Sequence, residues 1–194
     1  MKIILASTSP YRAAQLKAFG LSFSARRPGI DEEALKNSLA LTPRGLSRRL
    51  ALEKARSLVK KNPKDAIIGA DQLLDFEGAV LGKPGSLEQN IRILSKLQGR
   101  THKLITSMAL VCGERSALST VVAQITLKKL TRAEIAAYVK RDRPMDCAGG
   151  YRFESSGFSL VESLRVSDPS SLIGLSLIEL PKLFSKLNLP IMFK

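Results

Sequence analysis

Hydroxyl groups and an arginine gather near the amino end of the chain. Ser7, Thr8 and Ser9 follow a short apolar run, and Pro10 and Arg12 fall in the first turn of the helix that we predict there. A helix start presents free N–H groups and the positive end of the helix dipole, and hydroxyls with an arginine complete an anion pocket suited to phosphate. A plain helix cap with a surface arginine explains the same residues, so this pattern alone decides nothing.

Carboxylates occur at two places where they could bind a metal or activate water. Asp31, Glu32 and Glu33 follow a Pro-Gly loop, and their oxygens suit a divalent cation, although acidic residues also cap helices. Asp71 follows the apolar run 66–70, and the end of a buried strand is a usual place for a catalytic or metal-binding carboxylate. A simple turn aspartate is the alternative there.

Two lysines complete the groups that phosphate chemistry would need. Lys83 lies in a rigid turn between Gly82 and Pro84, and Lys54 lies in a predicted helix, where most lysines are only solvated. Together these residues indicate a ligand with several phosphates, a metal and a carboxylate that activates water. Because the chain has one histidine, His102, and no Walker loop or dinucleotide fingerprint, direct attack of water on a phosphate is the simplest mechanism.

The chain of 194 residues has the composition of an ordinary globular protein. Hydrophobic residues make up 44 % and charged residues 25 %, which excludes disorder as the main state, and no apolar run approaches the roughly 18 residues that span a bilayer. The two cysteines, Cys112 and Cys147, cannot form a disulfide framework or a four-thiolate zinc site. We expect one domain over residues 1–194, no signal peptide and a cytoplasmic location.

The chain is strongly basic, with 31 Lys and Arg against 17 Asp and Glu and a formal net charge of +14. Such a surface attracts polyanions, among them nucleotides and nucleic acids. The positive residues form short scattered clusters without a basic tail, which is typical of solvated helix faces and strand ends. A nucleic-acid-binding protein therefore remains an alternative, but the charge by itself assigns no function.

Helix caps, turn residues and apolar periodicity predict a mixed α/β chain with antiparallel strand pairs. The predicted strands cover 2–6, 66–70, 101–112, 117–128 and 157–166, with a hairpin over 73–81 that turns at Glu77-Gly78. The predicted helices cover 10–19, 43 to the Asn62-Pro63 stop, 87–97, 132–140 and 176–187. No flexible linker interrupts this order, which supports a single domain.

Taken in order, these motifs resemble the Maf family of nucleotide pyrophosphatases. The resemblance covers nearly the whole chain, and the ordered set is far more specific than any one motif. The matching segments are Leu5-Ala6-Ser7-Thr8-Ser9-Pro10 with Arg12, Asp31-Glu32, Lys54-Ala55, Gly69-Ala70-Asp71, Gly82-Lys83-Pro84, Cys147-Ala148-Gly149-Gly150 and Ile173-Gly174-Leu175-Ser176-Leu177.

The resemblance implies an elongated α/β fold with two lobes and a central cleft, similar to the inosine triphosphate pyrophosphatases. It implies hydrolysis of a nucleoside triphosphate to a monophosphate and diphosphate, with a divalent metal such as Mg or Mn. Asp71 would be the proton acceptor, and Glu32 would join it at the metal. A homodimer, no membrane partner and no obligatory nucleic acid are further implications. The residues that would bind phosphates are Ser7, Arg12, Lys54 and Lys83.

Three positions resemble the branch of the family that acts on 7-methyl-GTP. Tyr11, Gln72 and Glu154 stand where that branch carries an aromatic residue, Gln and Glu. N7-methylguanine is a cation, so an aromatic face can stack on it and a carboxylate can pair with it. The dTTP and UTP pyrophosphatase branch carries arginine, threonine and glutamine instead and is the nearest alternative. Because the late segment is one residue longer than the family pattern, Glu162 is the next candidate for the position of Glu154.

The chain also departs from the family pattern. Ala13 replaces the second of two consecutive basic residues, and Ala70 replaces a serine. The first change removes a positive charge beside the phosphates, for which Arg48 or Arg49 could compensate. A regulator of cell division that binds nucleotides without hydrolysing them is the third alternative.

Overall fold

The computed structural model describes residues 1–38 and 40–191. Seven strands and six α-helices lie within these residues, and the sheet is mixed, which confirms the α/β class. The strands are β1 (Ile3–Ala6), β2 (Ser24–Arg26), β3 (Ala66–Phe76), β4 (Ala79–Leu81), β5 (Thr101–Cys112), β6 (Arg115–Leu127) and β7 (Val161–Arg165). The helices are α1 (Pro10–Ala18), α2 (Glu32–Ser38), α3 (Pro43–Arg56), α4 (Leu87–Leu97), α5 (Arg132–Asp142) and α6 (Glu179–Lys186).

The strands follow the order β2-β1-β3-β5-β6-β7, and β4 pairs with β3 beside this path. β1 is parallel to both β2 and β3, whereas β4 runs antiparallel to β3 and β7 runs antiparallel to β6. In the pairing of β1 with β3, Ala6 lies opposite Gly69. Ser7 and Ala70 come next along the two chains, so this register places the first hydroxyl group beside the segment that carries Asp71.

The chain divides into two compact units, each made of several segments. The first unit comprises Met1–Asp71, Thr106–Val121 and Asp168–Lys194, and the second comprises Gln72–Ile105 and Val122–Ser167. A single domain over residues 1–194, with a central cleft, stays a prediction.

In the first unit, alternate residues of β1 and β3 enter two different apolar clusters. Leu5 and Ile68 pack with residues of α1 and α6, whereas Ile67 packs with Ala51 and Ala55 of α3. Both faces of this part of the sheet are therefore covered by helices. This explains the continuous apolar runs in the sequence, because a strand buried on both faces loses the usual alternation of apolar and polar residues.

Four helices begin where cap residues predict a start. The side chains of Ser9, Thr42, Ser86 and Thr131 each accept a hydrogen bond from a backbone N–H in the first turn of α1, α3, α4 and α5. At Thr131 the reciprocal capping box with Glu134 is complete. These starts are confirmed because a cap depends on residues three positions apart and on nothing distant.

The structure differs from the predictions at several boundaries. The strand expected over 157–166 is a short 3₁₀ helix at Gly157–Leu160 followed by β7, and the last helix begins at Glu179 instead of residue 176. β2 and α2 were not predicted at all. Within residues 1–38 and 40–191, no helix is long and apolar enough to cross a membrane.

Candidate active site

Asp71 is a buried carboxylate with one oxygen still available. β3 continues to Phe76, so Asp71 lies within this strand, and the prediction that it follows the strand's end is wrong. Its Oδ1 accepts a hydrogen bond from Lys54 Nζ at 2.8 Å, and the residue is only 4 % exposed. Oδ2 is buried and has no hydrogen-bond partner among the described residues. A buried oxygen of this kind needs a donor, a cation or water.

Lys54 joins the two carboxylates that the sequence analysis assigned to the reaction. Its Nζ lies 2.8 Å from Asp71 Oδ1 and 3.0 Å from Glu32 Oε2, and its side chain is 7 % exposed. The ammonium therefore neutralises charge inside the unit, a contact that the sequence alone did not predict. An ammonium has three donors, and these two contacts use two of them.

Gly69 allows α3 to approach β3 closely enough for this contact. A Cβ atom at Gly69 would lie 2.1 Å from the carbonyl oxygen of Ala51 and 2.7 Å from the backbone nitrogen of Ala55. Any side chain would push the helix away and carry Lys54 with it. A glycine is therefore required at this position of the Gly69-Ala70-Asp71 motif, because a side chain there would separate Lys54 from Asp71.

The three acidic residues at the start of α2 have three different roles. Asp31 caps the helix, with its Oδ1 accepting from Ala34 N at 3.0 Å, and Glu33 pairs with Lys36 at 2.8 Å. Glu32 alone reaches Lys54, and its side chain is 40 % exposed. Of the acidic run, only Glu32 therefore lies at the site.

Ser7 and Arg12 form the other side of the group. Arg12 Nη1 donates to the carbonyl oxygen of Ala70 at 2.9 Å and to Ser7 Oγ at 3.4 Å, and Ser7 is buried. Burial lowers the pKa of Arg12, while the negative charges of Asp71 and Glu32 oppose this effect. The guanidinium stays charged, and its Nη1 makes both of these contacts.

The segment after β7 positions Arg12, a function that the sequence analysis missed. Gln15 of α1 donates to Ser170 O at 2.8 Å and accepts from Leu175 N at 3.1 Å. These bonds hold Gly174 beside Arg12, where a Cβ would lie 3.2 Å from Arg12 Nε. The sequence analysis included the Gly174 motif only because of the family resemblance. Gln15 could have been noticed as a polar residue on the buried face of a predicted helix.

The donor set fits a divalent cation that also binds the substrate's phosphates. Among residues 1–38 and 40–191, no three His, Cys, Asp or Glu side chains converge as a complete metal cage. Mg²⁺ does not require one, because it keeps several waters and is usually held by one or two carboxylates together with phosphates. Oδ2 of Asp71 and the half-exposed carboxylate of Glu32 meet that requirement.

Tyr11 and Gln72 are each next in sequence to a residue of this group. Tyr11 is half-buried in the first turn of α1, and Gln72 follows Asp71 directly in β3. Arg49 pairs with Glu53 at 3.2 Å, and Arg48 donates to Thr120 at 3.3 Å. The compensation that we expected from Arg48 or Arg49 stays a prediction.

The second unit carries Lys83 and brings two of the expected motifs together. Lys83 is exposed, whereas the neighbouring Pro84 is buried. A Cβ at Gly150 would lie 2.1 Å from Asn90 Oδ1 and 3.0 Å from Pro84 Cγ, so the Cys147–Gly150 segment packs against the turn that holds Lys83. Burial raises the pKa of Cys147 to about 12, so this thiol is not a nucleophile at neutral pH.

Glu154 lies in the turn 153–156 of the second unit. Its side chain is exposed at the surface, yet the surrounding chain withdraws the carboxyl from water enough to raise its pKa. Glu162, the other candidate, lies on β7 and is also exposed. The first unit thus brings together five of the expected site residues, Ser7, Arg12, Glu32, Lys54 and Asp71. The second unit contains the other three in the chain order Gln72, Lys83 and Glu154.

The family model described as Maf-like protein matches residues 2–187. The chain belongs to the Maf family. Among its relatives, a protein of Bdellovibrio bacteriovorus named 7-methyl-GTP pyrophosphatase is 41 % identical over 188 residues, which is 97 % of this chain and 98 % of the relative. A protein of the same name from Polaromonas sp. is 40 % identical over 185 residues, which is 93 % of this chain and 82 % of the relative.

Among solved structures, one is similar to part of this Maf chain. It is a nucleoside-triphosphatase, dITP/XTP pyrophosphatase, from Mycobacterium abscessus, with a TM-score of 0.45 and 20 % identity over 67 % of this chain and 76 % of that chain. The family assignment rests on the sequence relatives and the family model, which span nearly the whole chain.

Proposed function

We propose that this Maf protein is a nucleoside triphosphate pyrophosphatase that hydrolyses 7-methyl-GTP to 7-methyl-GMP and diphosphate. The observation that carries the proposal is Asp71, a buried carboxylate with one oxygen held by Lys54 and the other without a partner among the described residues. Such a group can take the proton of an attacking water. The relatives that align over nearly the whole chain carry this activity in their names.

In the proposed reaction, Asp71 Oδ2 accepts a proton from the water that attacks the α-phosphorus, and diphosphate leaves. An ionised carboxylate offers about four lone-pair positions, and Lys54 takes one of them, so Asp71 also has room to face a cation. Glu32 and Asp71 would hold a divalent metal, Mg or Mn, which supplies positive charge to the phosphate oxygens when bound. Lys54 Nζ lies 2.8 Å from Asp71 Oδ1 and supplies a positive charge beside this carboxylate.

In this proposal, four residues bind the phosphates of the substrate. Ser7 offers a hydroxyl, Arg12 offers its guanidinium, and Lys54 offers one remaining donor. Lys83, exposed in its rigid turn, is the fourth. Arginine suits this role because its fork can contact two phosphate oxygens at once.

The base is assigned to Tyr11, Gln72 and Glu154. The methylated guanine ring carries a positive charge, on which an aromatic face can stack for roughly 1–3 kcal/mol. A carboxylate at Glu154 pairs with that charge, accepts from N1–H and the 2-amino group, and disfavours the carbonyl edges of uracil and thymine. The proposal also includes a cytoplasmic location, a homodimer and no requirement for nucleic acid.

The test is diphosphate release by the purified protein with Mg²⁺ or Mn²⁺. The substrates are 7-methyl-GTP, GTP, dTTP, UTP and CTP, and Asp71→Asn serves as the inactive control. We expect release mainly from 7-methyl-GTP and its loss in Asp71→Asn. Release mainly from dTTP or UTP would refute the assigned specificity but keep the enzyme class, and no release from any nucleotide would refute the proposed activity.

A further inference from the structure

The segment that carries Glu154 is anchored far more firmly than an exposed turn requires. We call residues 152–157 the Glu154 loop. Gly157 N donates to Arg152 O at 2.9 Å and closes its neck. A Cβ at Gly157 would lie only 2.3 Å from Arg152 O and 2.7 Å from the carbonyl carbon. The neck therefore accepts only glycine, and the loop has a fixed width.

The first end of the loop is tied to α5. Arg152 N donates to the hydroxyl oxygen of Tyr138 at 3.1 Å. The guanidinium of Arg152 donates to the carbonyl oxygens of Asp142 at 2.6 Å and Arg143 at 3.1 Å. These are carbonyls at the end of the helix, which lack partners within it, so Arg152 satisfies them and fixes the loop at once.

The second end of the loop is held by the side chain of Asp142, the last residue of α5. Asp142 Oδ2 accepts from Ser156 N at 3.1 Å, the Ser156 hydroxyl donates to the same carboxylate at 2.6 Å, and Arg141 Nε lies 3.0 Å from Oδ1. The Asp142 side chain is 3 % exposed. Burial alone would raise the pKa of Asp142, but the hydrogen bonds from Ser156 and Arg141 lower it to about 2. The anchor is thus ionised at any working pH.

Between these two anchors, the chain presents one charged side chain to the surface. Phe153 turns inward, is 5 % exposed and packs edge to face with Tyr151 and Phe158. Glu154 and Ser155 remain exposed. A carboxylate that must recognise a ligand gains affinity when its backbone is fixed beforehand, because less conformational entropy is lost when the ligand binds.

We propose that Asp142 is a positioning residue for Glu154, and that it fixes this carboxylate for recognition of a cationic base. This inference rests on the proposed function, since it takes Glu154 as the group that reads 7-methylguanine. Asp142 does not touch the substrate. It acts through Ser156 and the fixed width of the loop, and its removal affects the recognition of the base without changing the group that activates water.

The experiment compares Asp142→Asn with Ile135→Val, Glu154→Gln and the double variant Asp142→Asn/Glu154→Gln in the full chain. Ile135 lies in the core side of α5 and is 1 % exposed, so Ile135→Val lowers stability on the same helix without touching the loop. The readouts are kcat and KM for 7-methyl-GTP and GTP, and amide hydrogen exchange of residues 152–157.

We expect Asp142→Asn to raise KM for 7-methyl-GTP about tenfold, with kcat within about twofold of the parent, and to lower the preference over GTP. A tenfold change corresponds to about 1.4 kcal/mol, which is close to the lower end of the range for one hydrogen bond to a charged group. Amide exchange in the Glu154 loop rises in Asp142→Asn but not in Ile135→Val. In the Glu154→Gln background, Asp142→Asn adds no further change.

Each contrary outcome has its own meaning. Equal losses of kcat for both nucleotides, matched by Ile135→Val at equal stability, would overturn the positioning role. Effects of Asp142→Asn and Glu154→Gln that simply multiply in the double variant would also overturn it, while the proposed function stands. A parent enzyme without activity on 7-methyl-GTP would overturn the proposed substrate together with this inference.

Discussion

Replacing Lys54 by methionine removes the cation that Asp71 and Glu32 share. The Lys54 and Asp71 side chains are 7 % and 6 % exposed and are 2.8 Å apart. At an effective dielectric constant of about 20, this attraction amounts to about 6 kcal/mol, most of which offsets the loss of hydration of both ions. Removing one partner leaves a buried carboxylate unpaired, and such changes cost about 3–5 kcal/mol. In a chain of this length, that loss lowers Tm by about 10 °C.

The assay is urea unfolding of Lys54→Met, Asp71→Asn and the double variant, analysed as a double-mutant cycle. We expect the double variant to be more stable than Lys54→Met, because a neutral asparagine needs no buried cation. Glu32→Gln is the matched control and costs much less, since Glu32 is 40 % exposed. Full stability of Lys54→Met, or strict additivity in the cycle, would refute the reasoning that Lys54 is the counter-ion of Asp71.

Two further outcomes follow from steric fit and from burial. Gly69→Ala places a Cβ 2.1 Å from the backbone of α3. We expect the free energy of unfolding to fall by about 1–3 kcal/mol, and the rate of diphosphate release to fall as well, because Lys54 moves with the helix. Unchanged activity would contradict the role of Gly69. Burial lowers the pKa of His102 to about 4. Below pH ~6.5 the unfolded chain therefore binds a proton that the native state excludes, and the protein becomes less stable as the pH is lowered. From pH 7.5 to 5 this effect amounts to about 2 kcal/mol in urea unfolding. His102→Gln, which removes the chain's one histidine, should lose this part of the pH dependence, and an unchanged slope would contradict it.

Local signals predicted most of the fold. Ser9 with Pro10 set the start of α1, and Thr131 with Glu134 set the start of α5, because caps involve residues close in sequence. β2 was missed because its three residues are all exposed and carry no apolar pattern. Its pairing with β1 depends on the packing of the whole sheet, which a short polar segment does not reveal.

The residue types of the site were predictable, but their contacts were not. Asp71, Glu32 and Lys54 were selected by chemistry and by resemblance, with Lys54 assigned to phosphates. The ion pairs that Lys54 makes depend on the approach of α3 to β3. A glycine inside a strand pattern, Gly69, was the available signal for such an approach. Asp142 gave no signal at all, since its partner Ser156 is 14 residues away in a loop.

Two glycines of the Maf motifs, Gly69 and Gly174, lie where a Cβ would meet the backbone or a charged side chain of the site. Gly69 has a negative φ, so its conformation requires no glycine, but a Cβ there would collide with the helix that brings Lys54 to Asp71. Gly174 lies against Arg12 in the same unit, and Gly157 closes the neck of the loop that carries Glu154. At each of these glycines, backbone atoms or a charged side chain lie where a Cβ would otherwise be. At Gly69 and Gly174, the charged side chains Lys54 and Arg12 can therefore take their places only because the glycine leaves room.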